Sequence, residues 1–302
     1  MSNIAIAIHG GAGGFSQKGI ENEQEIHDSL KAILAPAFDV LKNGGTALDA
    51  VETAVRLLEN DALYNAGRGA CLNSKGKVQL DAAIMNGANL EAGALACIRY
   101  VKNPISLARM VMERTKHVLI CGEGAEDFAR EMNVELVDEE YFITEKQQKS
   151  LKTEQEKVLK EEKTETKFGT VGAVALDKDG NLAAATSTGG ITNKKYSRIG
   201  DSPLIGIGNY ANNETCAISC TGDGEFFIRS VVAYDVSCLM EYKGLSLKEA
   251  CEIVIHDKVK KLGGEGGLIA IDKNGNIELP FNSGRMARGF KTLKEEFTGV
   301  YE

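Results

Sequence analysis

A threonine that follows a glycine has the clearest potential for chemistry in this chain. Thr170 comes directly after Gly169 and opens an apolar segment. A threonine hydroxyl is a weak nucleophile, but a free α-amine on the same residue can act as its base. Glycine adds conformational freedom and leaves space around the preceding carbonyl. The pair therefore predicts a precursor that cuts itself between Gly169 and Thr170 and uses the new terminus as its nucleophile.

Two further threonines are candidates for the same cluster. Thr188 and Thr221 each end a predicted strand, and each is followed by glycine, Gly189 and Gly222 respectively. Hydroxyls at strand ends can converge into a relay that positions a nucleophile. Glycines let backbone N–H groups point at the oxyanion that acyl transfer generates. The alternative is that these threonines are ordinary turn residues.

Arg198 and Asp201 lie in a predicted loop that ends in Ser202-Pro203. A guanidinium binds a carboxylate with two parallel hydrogen bonds, and a carboxylate can hold an ammonium group. Together they predict recognition of an amino-acid zwitterion, with its side chain left to react. The alternative is a surface ion pair, which contributes little to stability.

The segment from His9 to Gly14 is rich in glycine but lacks the G-x-G-x-x-G spacing of a dinucleotide loop. His9 is a candidate general base or, equally, a hydrogen-bonded structural residue. A second segment, from Leu58 to Arg68, follows a predicted helix and has carbonyl oxygens that could hold a cation. A plain connecting loop fits its composition equally well.

Hydrophobic periodicity predicts alternating strands and helices on both sides of Thr170. The predicted strands are 3–7, 78–85, 94–99, 171–176, 182–188, 204–208, 215–219, 268–271 and 276–279. The predicted helices are 24–42, 46–58, 104–115, 124–132, 226–242 and 246–261, and a glycine-rich turn is expected at 9–14. This order suggests stacked sheets covered by helices.

Residues 145–168 are almost entirely charged or polar. The second half has too little apolar surface to offset the entropy of ordering it, which predicts a mobile tether. The first half is also compatible with a solvated helix. A mobile tether before Thr170 suits a chain that is cut there and then withdraws.

Bulk composition excludes several classes of partner. The 302 residues carry a formal net charge of −8, which argues against nucleic acid or an anionic membrane as a partner. No apolar run is long enough for a transmembrane helix, and the first residues do not resemble a secretory signal. Seven scattered cysteines without a CxxC pair favour reduced thiols in a cytoplasmic protein.

Six segments, taken together, resemble the plant-type L-asparaginase/isoaspartyl peptidase family of N-terminal-nucleophile hydrolases. They are 9–13, 65–67, 169–175, 186–190, 198–203 and 221–225, in the family's order. The resemblance implies one α+β domain over 1–302, folded as a four-layer αββα sandwich. It also implies cleavage into an α chain of 1–169, ending in the mobile linker 145–168, and a β chain of 170–302. Two such αβ pairs would form a dimer.

The resemblance also implies roles for individual residues. Thr170 would be the nucleophile, and Thr188 and Thr221 would orient it. Backbone N–H groups near Thr221 and Gly222 would stabilise the oxyanion, and Asn65 would approach the nucleophile. Substrate would be bound through its α-carboxylate by Arg198 and through its α-amine by Asp201, with Gly222 and Gly224 lining the pocket. No cofactor is required, but a structural sodium ion is expected on backbone carbonyls of Leu58, Glu59, Asp61, Tyr64, Ala66 and Arg68.

The implied activity is hydrolysis of the side-chain amide of L-asparagine and of β-aspartyl dipeptides, with release of L-aspartate. Asp223 stands at a position that varies in the family, and 281–289 matches the family only loosely, so the leaving-group side of the pocket is least determined. Two alternatives remain open: a glycosylasparaginase-like amidase, and an uncleaved protein that binds amino acids.

Overall fold

The computed structural model describes residues 3–13, 23–160 and 169–301, which form a mixed α+β structure. Its strands are β1 (Ala5–Gly13), β2 (Leu80–Asn86), β3 (Ala92–Ile98), β4 (Leu119–Cys121), β5 (Val171–Leu176), β6 (Leu182–Thr188), β7 (Asn209–Ala211), β8 (Cys216–Gly222), β9 (Gly266–Asp272), β10 (Ile277–Glu278), β11 (Arg285–Thr292) and β12 (Glu296–Gly299). Its α-helices are α1 (Glu23–Lys42), α2 (Ala47–Asn60), α3 (Pro104–Arg114), α4 (Gly122–Glu131), α5 (Glu145–Leu159), α6 (Gly224–Ser230), α7 (Val232–Lys243) and α8 (Leu247–Glu252). A short 3-10 helix spans Glu139–Tyr141, and the π-helix Ile253–Val259 continues α8.

The strands form two sheets. The larger has the order β12-β11-β1-β5-β6-β2-β3-β4, and the smaller has the order β10-β9-β8-β7. Both β5 and β6 were predicted within the correct bounds, because a turn sequence separates two apolar runs. In that turn Asp177 Oδ1 accepts hydrogen bonds from the N–H groups of Asp179 and Asn181, and Gly180 has a φ of +82°. The turn thereby fixes the register of this hairpin.

Alternation along the central strands buries both faces of the large sheet. On β1, Ile6 and Ile8 join one apolar core, whereas Ala5 and Ala7 join the other. The first core also contains apolar side chains of α1, α2 and α3. The second contains those of β8, β9, α7 and α8. The small sheet therefore contacts the large sheet through β8 and β9, and α7 and α8 contact the small sheet.

Several helix boundaries follow the sequence closely. Thr46 caps α2, and its side chain and that of Asp49 form a reciprocal capping box. The first helix includes Pro36 without interruption. The predicted helix over 226–242 is instead two helices, because Val231 adopts a left-handed conformation with a φ of 52° between α6 and α7.

Several strands differ from the prediction. The glycine-rich segment expected to turn after 3–7 continues β1 to Gly13, because β11 pairs with Gly11, Ala12 and Gly13 beyond a bulge after His9, where the pairing with β5 ends. Gly14 lies outside the described residues. Residues 204–208 form turns rather than a strand, since Leu204 N–H bonds to Asp201 O and Ile207 N–H to Leu204 O. Strands β4, β7, β11 and β12 had no predicted counterpart.

The polar segment is helical in its first part. Helix α5 begins after Thr144, whose side chain accepts a hydrogen bond from Gln147 N–H. Gln147 is itself buried and donates from its side chain to the carbonyl of Gly69. The predicted linker 145–168 thus begins with a helix that contacts the body of the protein. Residues 161–168 lie outside the described residues.

All seven cysteines are free thiols. Within the ranges given above, none of the helices is long and apolar enough to cross a membrane.

Candidate active site

The hairpin register places the candidate nucleophile beside a second threonine. Val171 of β5 pairs with Ser187 of β6, so the next step along the two strands brings Thr170 opposite Thr188. The Thr170 hydroxyl donates to Thr188 Oγ1 over 3.1 Å. Ser202 Oγ lies 3.2 Å from Thr170 Oγ1 on another side. Because the single proton of Thr170 goes to Thr188, Ser202 is the donor in this second bond.

Gly169 is enclosed by two residues from earlier in the chain. A Cβ on Gly169 would lie 2.7 Å from Cβ of Asn65, and a Cβ on Gly11 would lie 2.5 Å from Cα of Gly169. Asn65 is fixed by its own bonds: it donates to the carbonyl of Gly190 and accepts from Cys71 N–H. Asn65 therefore contacts the residue before the nucleophile. The glycine is needed here for space, because its φ is not positive.

Thr221 and Gly222 are the last two residues of strand β8. The Thr221 hydroxyl accepts a hydrogen bond from Ala12 N–H of β1 over 3.0 Å, so in this structure it links the two sheets. Gly222 lines the pocket, and a Cβ there would lie 2.6 Å from the Glu265 carbonyl and 2.7 Å from the ring of Phe227. Only glycine fits at this position.

Arg198 is held by a carboxylate that sequence reasoning missed. Its Nε and Nη2 donate to the two carboxylate oxygens of Glu225, over 2.8 and 2.6 Å. This bidentate pair uses one edge of the guanidinium, and Nη1 lies on the other edge near the backbone of Gly200. Glu225 directly follows the predicted pocket residue Gly224. Its position and opposite charge were the available signal.

Asp201 is 3% exposed, and none of the described residues bonds to its Oδ2. Burial raises the pKa of Asp201 to about 7, against the opposing effect of Arg198. A Cβ on Gly224 would lie 2.6 Å from Arg198 Nη2 and 2.9 Å from Asp201 Oδ1. Glycine at 224 thus leaves space between an anionic and a cationic group. Nearby Asp223 also has a raised pKa, to about 6, through burial and the charge of Glu225.

These groups converge on one small cavity. Its volume is about 10 Å³, which is room for about one water molecule. The hydroxyl cluster and the charged pair therefore border the same space. The lining residues are Gly169, Thr170, Thr188, Gly190, Ile191, Arg198, Asp201, Ser202 and Gly222.

The segment from Leu58 to Arg68 curls back on itself. The carbonyl of Glu59 accepts from Arg68 N–H over 2.7 Å, and that of Leu58 accepts from Asp61 N–H. The carbonyls of Ala62 and Tyr64 both lie 2.8 Å from the position that a Cβ of Gly69 would take. Side chains of His, Cys, Asp and Glu form no group of three suited to a metal within the described part of the chain. Any cation here would rest on carbonyl oxygens.

Comparison with known families favours an enzyme over a protein that only binds amino acids. The model of a family described as asparaginase matches residues 2–300. The chain belongs to the asparaginase family. It is therefore an enzyme, and the uncleaved binding protein becomes the weaker alternative.

Curated relatives in the asparaginase family match over almost their full length. The isoaspartyl peptidase of Escherichia coli K12 is 49% identical, covering 100% of this chain and 97% of that protein. The probable isoaspartyl peptidase/L-asparaginase 2 of Arabidopsis thaliana is 43% identical, covering 97% of each chain. The isoaspartyl peptidase/L-asparaginase of Mus musculus is 42% identical over 94% of this chain and 86% of that protein.

Proposed function

We propose that this enzyme hydrolyses the side-chain amide of L-asparagine and of β-aspartyl dipeptides and releases L-aspartate. One observation carries the proposal: Thr170 shares a small cavity with Arg198 and Asp201. Both substrates present an α-carboxylate and an α-ammonium, which suit Arg198 and Asp201 respectively. Each also presents its scissile amide one methylene from the carbon that carries both groups, so binding between Arg198 and Asp201 would direct that amide towards Thr170.

The proposed cycle begins with cleavage of the chain itself. Thr170 Oγ1 attacks the carbonyl carbon of Gly169, the C–N bond breaks, and water hydrolyses the resulting ester. This leaves a carboxylate on Gly169 and a free α-amine on Thr170. In catalysis that amine takes the hydroxyl proton as Oγ1 attacks the substrate amide, and the proton passes to the leaving ammonia or amine. Water then releases aspartate from the β-aspartyl ester on Thr170.

Changing Thr170 to alanine tests this cycle. Wild-type protein should separate by intact mass into fragments that end at Gly169 and begin at Thr170, and it should release aspartate. Thr170→Ala should stay whole and release none, whereas Thr153→Ala, an exposed hydroxyl on α5, should match the wild type. A whole, inactive wild-type chain that still binds aspartate would favour the binding protein. Preference for sugar-linked asparagine would favour the glycosylasparaginase-like amidase.

The contacts of the two sheets with the helices support a four-layer αββα arrangement, which we include in the proposal. By family resemblance we also propose a dimer of αβ pairs. Seven free thiols support a reducing, cytoplasmic compartment.

The curled loop also fits a sodium ion. The carbonyl oxygens of Ala62 and Tyr64 both approach Gly69 so closely that a Cβ there would clash with them. A carbonyl has two lone pairs, so those that accept one N–H can still bind a cation. Bound sodium would stabilise the segment that carries Asn65, and no catalytic step requires it.

A further inference from the structure

His9 is a buried histidine for which the proposed cycle has no use. It is 0% exposed in the middle of β1 and is not among the residues that line the cavity. Its partner on β5 is Gly172. A Cβ on Gly172 would lie 2.5 Å from His9 Nε2 and 2.0 Å from Ser219 Oγ. The strand pairing therefore keeps room for an imidazole directly behind the nucleophile.

Both ring nitrogens of His9 have partners. Nδ1 lies 3.0 Å from the carbonyl oxygen of Thr170, and Nε2 lies 2.9 Å from Ser219 Oγ. Ser219 Oγ in turn lies 2.7 Å from Thr186 Oγ1. These four groups are buried and form one continuous line from Thr186 of β6, through Ser219 of the small sheet and His9, to Thr170.

The direction of every proton in this line can be deduced. A carbonyl only accepts, so Nδ1 must carry the proton. Burial lowers the pKa of His9 to about 3, so the ring is neutral near pH 7 and Nε2 has a lone pair. Ser219 must then donate to Nε2, and Thr186 must donate to Ser219. Thr186 then has no proton left for the carbonyl of Gly208, which lies 3.4 Å from its Oγ1.

The carbonyl group of Thr170 is unchanged by the cleavage and can still accept a hydrogen bond. Cutting the bond to Gly169 removes the covalent restraint on the amine side of the residue. Its Cα still carries the amine, the Cβ with its hydroxyl, and the carbonyl carbon, so fixing the carbonyl oxygen limits rotation about the Cα–C bond. We propose that His9 is a positioning residue, which holds the Thr170 carbonyl through Nδ1–H and so directs the new amine and the hydroxyl. This inference rests on the proposed function.

A matched pair of amide variants tests the proposal in the full-length protein. Asparagine places its amide near the Nδ1 position of histidine, whereas glutamine places it near Nε2. Because His9→Asn keeps the donor to Thr170, its kcat per cleaved chain should stay within about tenfold of the wild type. His9→Gln should lose about 10²-fold in kcat, because the nucleophile is misplaced. KM should change little in both, since His9 does not line the cavity, and His27→Asn should behave as wild type.

Nitrogen-15 NMR of the wild-type protein tests the proton direction without any variant at this site. The chain has only four histidines, so the signals of His9 can be assigned by replacing the other three singly. A protonated Nδ1 and an unprotonated Nε2 that do not titrate between about pH 5.5 and 8.5 would support the proposal. The opposite tautomer, which leaves Nδ1 without a proton to donate, would overturn it even if both amide variants fail to fold.

The two proposals can fail separately. Equal kcat in His9→Asn and His9→Gln, with normal hydrolysis by the wild type, would overturn the role of His9 alone. A wild type that is uncut and releases no aspartate would overturn the proposed function and the catalytic consequence of His9 with it.

Discussion

Asp201 Oδ2 is buried, and nothing in the described parts of the chain donates to it. An α-ammonium group would supply that donor, but only the ionised carboxylate binds it strongly. Because burial raises the pKa of Asp201 to about 7, the ionised fraction grows as the pH rises through that value. We expect kcat/KM for asparagine to rise between about pH 5.5 and 8, with an inflection near 7.

Replacing Asp201 by asparagine should remove this inflection and lower kcat/KM by roughly 10–100-fold. Asp223→Asn is the matched control, because it removes a neighbouring carboxylate with a raised pKa and should keep the inflection, moved downward since the charge of Asp223 helps to raise the pKa of Asp201. The rise that comes from the Thr170 amine, at about pH 7.7–8.0, should persist in both variants. An inflection near 7 that survives in Asp201→Asn would refute the assignment.

Arg198 should contribute mainly to substrate binding. Truncation to alanine removes a charged pair of donors, and we expect KM to rise roughly 10–100-fold with a smaller effect on kcat. Lysine should rescue only part of this loss, because it lacks the planar fork that Glu225 and a carboxylate both engage. Arg130→Ala, which removes exposed ion pairs on α4, is the control. An unchanged KM in Arg198→Ala would contradict the role.

Residue types and spacing were enough to single out Thr170, Thr188, Arg198 and Asp201, which the structure brings to one cavity. The hairpin explains the first two, since its register is local. For Ser202 the sequence indicated only a loop. Its hydroxyl reaches Thr170 through a series of turns, and hydrophobic periodicity does not predict the course of such turns. Contacts of this kind depend on how distant segments pack, so the sequence alone could not reveal them.

Strand β1 also contributes to the site through a bulge in its backbone. The bulge lies between His9 and Gly11 and brings Gly11, with a φ of +107°, against Gly169. A methyl group at residue 11 would displace Gly169 from its present position. We expect Gly11→Ala to slow self-cleavage about tenfold or more, measured by intact mass over time.

Gly180→Ala separates this contact from simple backbone strain. Gly180 also has a positive φ, of +82°, but a Cβ there would meet nothing within 4 Å. Both variants should lose about 1–3 kcal/mol of stability through strain, and only the Gly11 variant should be cut slowly. Equal cleavage rates in the two would show that contact with Gly169 is unimportant.

Local signals identified elements where local chemistry dominates, as with the capping box of α2. They failed where pairing at a distance decides. Glycines predicted a turn after residue 8, yet pairing with β11 keeps that segment extended as far as Gly13. The apolar run at 204–208 resembled a strand, but Gly208 lies so close to Asp201 that a Cβ would be 2.3 Å from its carbonyl oxygen. This close approach of Gly208 to Asp201 requires the chain to turn between them.

At the scale of the whole molecule, Glu59 joins three elements in the core. Its carboxylate accepts hydrogen bonds from Ser187 of β6, from Asn103, and from Ile105 N–H of α3. Burial raises its pKa to about 8 despite these bonds. The folded chain therefore keeps a proton that the unfolded chain releases at about pH 4.3. Its contribution to the free energy of unfolding is complete below that pH and is lost as the pH rises towards 8.

The melting temperature should accordingly fall between about pH 5 and pH 8. Glu59→Gln, which cannot ionise, should flatten this dependence, while Glu214→Gln, whose side chain is 83% exposed, should keep the wild-type slope. The same slope in Glu59→Gln and wild type would mean that other buried carboxyls, such as Asp81, dominate.

The order of strands in the large sheet determines how readily the two fragments would separate after cleavage. Strand β1, from before Thr170, lies between β11 and β5, and β6 in turn pairs with β2. The two fragments would thus be interleaved, and separating them would require breaking the sheet in three places: between β11 and β1, between β1 and β5, and between β6 and β2. Dilution should therefore not dissociate them, and specific activity should be independent of enzyme concentration. When two cleaved preparations are mixed, their fragments should not exchange. Each fragment 1–169 would therefore stay with the fragment 170–302 of the same precursor.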